Sequence, residues 1–445
     1  MARNLACKKS WANRMKNFDE QKYKALKILS EPKDSKLVTH LNSCVHCSLC
    51  ADSCIYYLTT KDERFIPAKK VDLISSIYRH YCTFTGKHFA GLNNARRLDE
   101  EIVGEMVDQL FGACTLCGRC TTHCSIGVDI TYIVRMGREM LSEMGFVPAT
   151  LQSTVNAALE TGNNMSIPTE EFTDTLSWLE GELKDEVNDP QASIPLNVHN
   201  TNILYTLNPR EPKFFPLSIS AMAKIFYAAK ESWTLSTFMY DVTNYAYYTS
   251  NNGEAVTIAE RLYNEMLNLN AKRCVLAECG HGSRAFRWEA PNYLQKSFPF
   301  EVLTSVELLA EYISQGKLKL DKKLNKELIT LHDPCNLVRE GGIVDQQRYI
   351  IRHAASEFIE MTPKGIDNFC CGGGGGQLAM SEYNERRMKI AEIKADQIRK
   401  TGASIVVSPC HNCVDQLMQI DNKFKLGVKI KTLSEIVADA IVLEK

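Results

Sequence analysis

His332-Asp333-Pro334-Cys335, then Phe369-Cys370-Cys371-Gly372 opening a glycine run through Gly376, then Ser408-Pro409-Cys410-His411-Asn412-Cys413: these strings decide how the chain is read. Five cysteines in three separated groups fit on no single helix or strand, so the chain must fold back to gather them. Such convergence is the geometry of a metal cluster. The glycines agree, because residues without a β-carbon let backbone amides approach a charged inorganic core. The competing reading makes the adjacent cysteines core hydrophobes and the glycines a flexible loop. The Cys410-x-x-Cys413 spacing in the same region argues for the metal.

The 445 residues are enough for two or three domains. A composition of 44% hydrophobic and 24% charged residues with a net charge of -1 argues against nucleic acid or generally acidic substrates as main partners. The 17 cysteines come mostly in two-residue spacings, in a chain far larger than a disulfide scaffold. That usage predicts thiolates bound to iron in a reducing, cytoplasmic environment. Met1 to Lys36 lacks the apolar core of a signal peptide, and no apolar run approaches the ~20 residues of a membrane span. Membrane contact would come through a partner or a surface helix.

Residues 1–40 read as a basic, helical stretch with Trp11, Met15, Phe18, Tyr23 and Leu26 as apolar members, an arm or docking helix or, the favoured alternative, a plain packed helix. Then come Cys44-x2-Cys47-x2-Cys50-x3-Cys54 and Cys114-x2-Cys117-x2-Cys120-x3-Cys124. In this run three cysteines hold one [4Fe-4S] cubane and the fourth reaches across to the other. The swap assigns Cys44, Cys47, Cys50 and Cys124 to one cubane, and Cys54, Cys114, Cys117 and Cys120 to the other. Zinc is the alternative, although its sites seldom repeat a four-cysteine spacing twice. Ile55 and Ser125 replace the proline that commonly follows the fourth cysteine. Helical spacing is expected over Val71–Tyr81, Leu98–Phe111 and Ile130–Met144. Residues 41–160 thus resemble the helical two-cluster ferredoxin domain of respiratory iron-sulfur subunits.

Residues 161–202, rich in Asn, Thr, Glu, Asp and Pro, read as a linker with one short helix around Trp178 and Leu179. The rest of the chain is an internal repeat, with a first unit at 203–320 and a second at 321–445. Glu254 through Cys279 matches Glu385 through Cys410 without a gap, and Thr304-x2-Glu307 corresponds to Thr432-x2-Glu435. The first copy is degenerate: Glu278-Cys279-Gly280-His281-Gly282 stands where the second has its Cys-x-x-Cys, Tyr245, Tyr247 and Tyr248 stand near the place of the cysteine pair, and no cysteine lies near Pro209. The expected fold class is α+β, a helical two-cluster ferredoxin domain followed by a pseudo-twofold pair of α/β cysteine-rich units. Cys7, Cys82 and Cys274 are left over as incidental or filler residues.

Cys335, Cys370-Cys371 and Cys410-x-x-Cys413 resemble the CCG domain of heterodisulfide reductase catalytic subunits. The order of ferredoxin domain and two units, from about Cys44 to the end, is similar to the D subunit of that enzyme and its relatives in membrane redox complexes of sulfate reducers and sulfur oxidisers. The 38 residues between Cys371 and Cys410 slightly exceed the usual spacing. The resemblance implies a noncubane [4Fe-4S] cluster on Cys335, Cys370, Cys371, Cys410 and Cys413, beside the two cubanes. It also implies a catalytic subunit acting on a disulfide, trisulfide or thiol, a membrane cytochrome b-type subunit or other redox subunits exchanging electrons with menaquinol, and a small dithiol carrier protein as a substrate. The chain would then lie peripherally on the inner face of the membrane through those partners. The rival reading is a pure electron-transfer subunit of a glycolate- or lactate-oxidase-like or flavoprotein-quinone complex.

Cys279, His281 and His411 are the candidate catalytic residues, with His332 a further proton donor, since imidazole titrates near physiological pH. For each histidine the other reading is a hydrogen bond supporting a cluster or the backbone. Arg339 would stabilise cluster or substrate charge, or form a surface ion pair.

Overall fold

The computed structural model describes residues 18–30 and 35–443; Cys7, Trp11 and Met15 lie outside the described residues. The protein is α+β: helices dominate, and the strands form two small parallel sheets. The chain divides into two compact units. The first comprises residues up to Gln152 with Ala246–Asn252 and Gly375–Arg386, and the second holds the remainder.

Unit 1 is helical. The helix expected from Val71 begins at Pro67, whose missing N–H costs nothing in a first turn, and runs to Cys82 with Val71, Ile74 and Ile77 buried. Ile130–Glu143 buries Ile133, Val134, Met140 and Leu141. Phe18–Ser30, in the stretch where the sequence leaves arm, docking helix and plain packed helix open, is a packed helix, with Ala25 and Leu29 buried, that contacts the two helices just named. Tyr23, expected on its apolar face, is 66% exposed. The helix expected over Leu98–Phe111 is α-helical from Glu100 to Met106, where Asp99 accepts the Ile102 N–H, and continues as a π-helical turn from Val107 to Phe111. Arg138 is fully buried and donates to the carbonyl oxygens of Leu110 (3.0 Å), Cys114 (2.9 Å), Tyr248 (2.7 Å) and Gly375 (2.9 Å). One guanidinium thereby ties together the three stretches of chain that make up the unit.

Unit 2 contains both sheets. Strands β1 (Ile203–Tyr205), β2 (Trp233–Thr234), β3 (Arg273–Leu276) and β4 (Glu301–Thr304) form a sheet of order β2-β1-β3-β4. Strands β5 (Leu328–Leu331), β6 (Glu357–Glu360), β7 (Ile405–Val407) and β8 (Lys429–Lys431) form a second of order β6-β5-β7-β8. The orders coincide and all pairs are parallel, so the internal repeat is a repeat of topology. The central strands are buried on both faces, which is why they read as continuous apolar runs. After β4 and β8, Thr304 with Glu307 and Thr432 with Glu435 form complete capping boxes on the helices they precede.

Residues 161–202 differ from a linker with one short helix. Thr169–Val187 is a 19-residue helix, and Phe172, Leu176, Leu179 and Leu183 bury one face in the unit 2 core, while Trp178 points outward. Four apolar residues at i, i+4, i+7 and i+11 suffice for a packed helix, and the intervening acidic residues lie on its solvent side.

Candidate metal centres

In unit 1 the two ferredoxin-type runs adopt the same backbone. His46 (φ 56°) and Ser48 (φ 61°) in the first, and Leu116 (φ 52°) and Gly118 (φ 75°) in the second, are all left-handed. Three of the four are not glycine, so local strain is accepted in order to curl each loop and turn its amides inward. The N–H groups of Leu116 and Val128 accordingly donate to the Cys114 and Cys124 sulfurs, each at 3.4 Å. Cys54, Cys114, Cys117 and Cys120 line one cavity of about 420 Å³, and Cys44, Cys47, Cys50 and Cys124 line another of about 370 Å³. The grouping is the crossed one, each cavity taking its fourth cysteine from the other run. Their surroundings differ. The first cavity has buried Lys70 on its wall, donating to the Ala113 carbonyl oxygen at 2.7 Å. The second borders solvent through exposed Cys47, and the His46 imidazole meets Asp72 at 3.0 Å beside it.

In unit 2 the chemistry-bearing residues leave the carboxyl ends of parallel strands, where such sheets place their sites. β5 leads into His332 and Cys335, β7 into Cys410, β3 into Cys279 and His281, and the loop after β6 into Cys370-Cys371. Asp333 is held by two Arg348 nitrogens at 2.9 and 2.8 Å and by the Gly365 N–H at 2.7 Å, which fixes the turn before Cys335. Arg339 donates to the carbonyl oxygens of Ile366 and Asn368 at 2.8 and 2.7 Å, so it braces the loop ahead of the cysteine pair.

All five CCG cysteines line one cavity of about 310 Å³, together with His281, His332, Asn336 and Asn412. Each thiol is buried, and the Cys371 and Cys413 sulfurs approach to 3.5 Å. Backbone N–H groups of Gly372, Gly373 and Gly280 donate to the sulfurs of Cys370 (3.3 Å), Cys371 (3.4 Å) and Cys410 (3.3 Å). A β-carbon on Gly280 would crowd Asn336 Cβ at 3.3 Å and touch the Cys410 sulfur at 3.5 Å, so glycine leaves this approach unhindered. Cys410 is the N-cap of the helix His411–Phe424, whose amino end favours a thiolate. Hydrogen bonds from the Cys370 and Cys413 thiols hold Cys371 well below its ordinary 9.0. Cys410 is lowered by Cys413 and by the Gly280 N–H. Five buried sulfurs, three of them supplied with backbone N–H donors, form a sulfur-rich donor set that suits iron-sulfur groups.

The remaining predicted residues are placed differently. Cys279 does not line this cavity. Its sulfur is buried against Asn208 Nδ2 and the Gly282 N–H, each at 3.3 Å, and the Thr243 hydroxyl at 3.7 Å. His411 does not line it either, contrary to its expected catalytic position. Its ring nitrogens engage the Glu278 carbonyl oxygen and the Ser218 hydroxyl, each at 3.0 Å, which turns the ring into the core. His281 and His332 do line the cavity, and burial depresses both, His281 to about 3. Cys274 is strand filler, its thiol pushed up by burial alone.

Sequence reasoning missed the polar frame of the site. Arg210 sits two residues after Asn208, where the repeat would set the counterpart of Cys335, and donates to Asn412 Oδ1 at 3.0 Å and to Asp415 at 2.5 Å. Lys394 is fully buried and donates to Asn368 Oδ1 at 2.8 Å. Aligning the two copies would have exposed Arg210; a lone lysine in a helix gives no signal.

The geometry agrees with comparisons to known proteins. Residues 329–418 match the cysteine-rich CCG domain, and residues 40–128 match the 4Fe-4S dicluster domain. An Hdr-like menaquinol oxidoreductase iron-sulfur subunit 2 of Archaeoglobus fulgidus is 27% identical across 96% of this chain and 84% of its own length. The D subunit of the dihydromethanophenazine:CoB–CoM heterodisulfide reductase of Methanosarcina mazei is 26% identical across 91% of this chain and 95% of its own. An EtfAB:quinone oxidoreductase of Syntrophomonas wolfei is 23% identical across 85% of this chain but only 54% of its own. Two ferredoxin-type cysteine sets joined to a CCG set define an iron-sulfur oxidoreductase that works in electron transport. Within that class the chain carries a cysteine-rich CCG domain and a 4Fe-4S dicluster domain, and over most of its length it is similar to the D subunit of heterodisulfide reductase.

Proposed function

We propose that this chain passes electrons singly through two cubane [4Fe-4S] clusters to a noncubane [4Fe-4S] centre, where a disulfide, trisulfide or thiol is reduced or oxidised. The cubane ligands are Cys44, Cys47, Cys50 and Cys124, and Cys54, Cys114, Cys117 and Cys120. Cys335, Cys370, Cys371, Cys410 and Cys413 hold the third centre. The observation that carries the reading is the convergence of those five sulfurs, with two histidines, on one buried cavity. When bound, the three groups would supply one-electron steps, the third of them beside a substrate sulfur. Reduction of a disulfide breaks one S–S bond and consumes two electrons and two protons, giving two thiols.

The chain's own residues bind and orient. Glycine amides along Gly372–Gly373 and at Gly280 stabilise thiolate charge, and the apolar walls exclude water. His281, on the cavity wall and kept neutral by burial, is better placed than His411 to hydrogen-bond a departing sulfur. Cys279 serves as a thiol held behind the Gly280 loop. Exposed Cys47 marks the cubane at which electrons enter from a partner.

The names of two relatives, one from a menaquinol oxidoreductase and one from a heterodisulfide reductase, support a membrane cytochrome b-type partner exchanging electrons with menaquinol. A small dithiol carrier protein fits as substrate. Among the described residues no helix is long and apolar enough to cross a membrane, so association with the inner membrane face would run through those partners. The likeness to an EtfAB:quinone oxidoreductase favours one rival, an electron-transfer subunit between a flavoprotein and quinone. Paramagnetic resonance of the oxidised holoprotein separates them. Adding 2-mercaptoethanol or dithiothreitol changes the spectrum of the third centre if sulfur binds there, and an unchanged spectrum across such thiols favours the relay.

A further inference from the structure

His332 invites assignment as an extra metal ligand. One of its ring nitrogens lies within 4.8 Å of the sulfurs of both Cys371 and Cys413, and all three residues are buried. The hydrogen bonds behind the ring argue otherwise. Lys394 is an obligate donor, so the Asn368 atom it meets at 2.8 Å is the amide oxygen. The amide nitrogen therefore faces the other way, and it donates to the Asp333 carbonyl oxygen at 2.8 Å, an acceptor that agrees with this orientation. Its second proton points at His332 Nδ1, 3.4 Å away. Nδ1 must then be the acceptor, and the ring proton sits on Nε2. Nε2 is buried and meets no hydrogen-bond partner among the described residues.

The arrangement recurs across the cavity. Arg210, another obligate donor, meets Asn412 Oδ1 at 3.0 Å, and the Asn412 amide nitrogen faces His281 Nδ1. A cation thus orients an asparagine, and the asparagine selects a histidine tautomer, once for a histidine of each half of the repeat.

We propose that His332, and by the same device His281, are locked as Nε2–H donors to sulfur in the CCG cavity, and that neither is an iron ligand. A protonated nitrogen has no lone pair for iron, while buried N–H donors stabilise sulfur that gains electron density on reduction. The acceptor is thiolate or sulfide sulfur, belonging either to the resident cluster or to the bound substrate. His332 is on this basis a positioning residue that sets the potential of the centre. The role rests on the reading of the five cysteines as a cluster site.

The test uses holoprotein with 15N-labelled histidine, electron–nuclear double resonance on the third centre with and without dithiothreitol, in H2O and D2O, and redox titration of H332F and H332Q. The expected result is an exchangeable proton coupling with no strong 15N coupling. A coupling present before thiol addition identifies cluster sulfide as acceptor, and one arising only afterwards identifies substrate sulfur. H332F keeps its iron but loses the coupling, and at fixed poise its ratio of oxidised to reduced centre rises about tenfold, or about 59 mV for one electron. H332Q, which retains an N–H donor, restores both. A strong 15N coupling in the wild type, or an H332F protein matching it in coupling and potential, overturns the donor role. A wild type holding two cubanes and no third centre overturns the cluster reading itself.

Discussion

Glu211 shows what burial does to one residue of this protein. Its carboxylate accepts the Asn208 N–H at 2.8 Å and the Ser218 hydroxyl at 3.3 Å, too little to replace water. Burial, reinforced by the charge of Glu278, pushes it up from 4.5 to about 8. The folded protein therefore keeps a proton that the unfolded chain releases above pH 4.5. Its contribution to stability is whole below that value and is lost as pH rises through 8, with a slope of up to about 1.4 kcal/mol per pH unit. Thermal unfolding of wild type and Glu211→Gln at pH 5, 6.5 and 8 should show a fall in the first and a shallower one in the variant. Parallel curves would mean that Glu211 is ionised in the fold. Residues of this kind were not legible in the sequence. The cysteines were, because a cluster demands a fixed spacing and few other roles do. Arg210 and Asn412 meet across the fold from positions far apart in the chain, and Lys394 gives its ammonium to Asn368 from an ordinary amphipathic helix.

At the scale of an element, the glycine run is two structures in sequence. Gly372 (φ 98°) and Gly373 lend their amides to cysteine sulfur in unit 2. Gly375 (φ 63°) belongs to unit 1, where a β-carbon would stand 2.6 Å from the Thr115 carbonyl carbon and 2.7 Å from its oxygen. Gly375→Ala should lower stability by about 2 kcal/mol or more, since left-handed strain and a backbone clash add. Gly402→Ala, left-handed (φ 66°) but with nothing within 4 Å of a β-carbon, should cost about 1 kcal/mol. Equal melting temperatures for the two variants would count against the packing given for Gly375. From sequence the run read as one loop serving the cluster, because glycine reports freedom and not the neighbour that requires it. The helix Thr169–Val187 hid for the opposite reason: its apolar face is four residues wide in a field of acids. The repeat was plain, since both copies keep the Thr-x-x-Glu box and the strand before the cysteine loop.

At the scale of the molecule, the amino-terminal cysteines do not form a self-sufficient module. Unit 1 draws on Ala246–Asn252 and Gly375–Arg386, and Arg138 takes two of its four carbonyl acceptors from those stretches. A fragment ending at Gln152 leaves that guanidinium two acceptors short, and each buried N–H so orphaned costs about 1–3 kcal/mol. The fragment should melt well below the full chain and reconstitute with less than two cubanes' worth of iron; a full complement of iron at an unchanged melting temperature would contradict this. The order of synthesis makes the same dependence a matter of timing. A ribosome makes Cys44 through Cys124 well before Gly375–Arg386, which leaves the exit tunnel only after both sheets' first strands have been made. Iron delivered to the nascent protein would meet loops whose backing has not been made, so filling of the ferredoxin-type sites is set to follow synthesis of that backing, and a product truncated before it falls short of full occupancy.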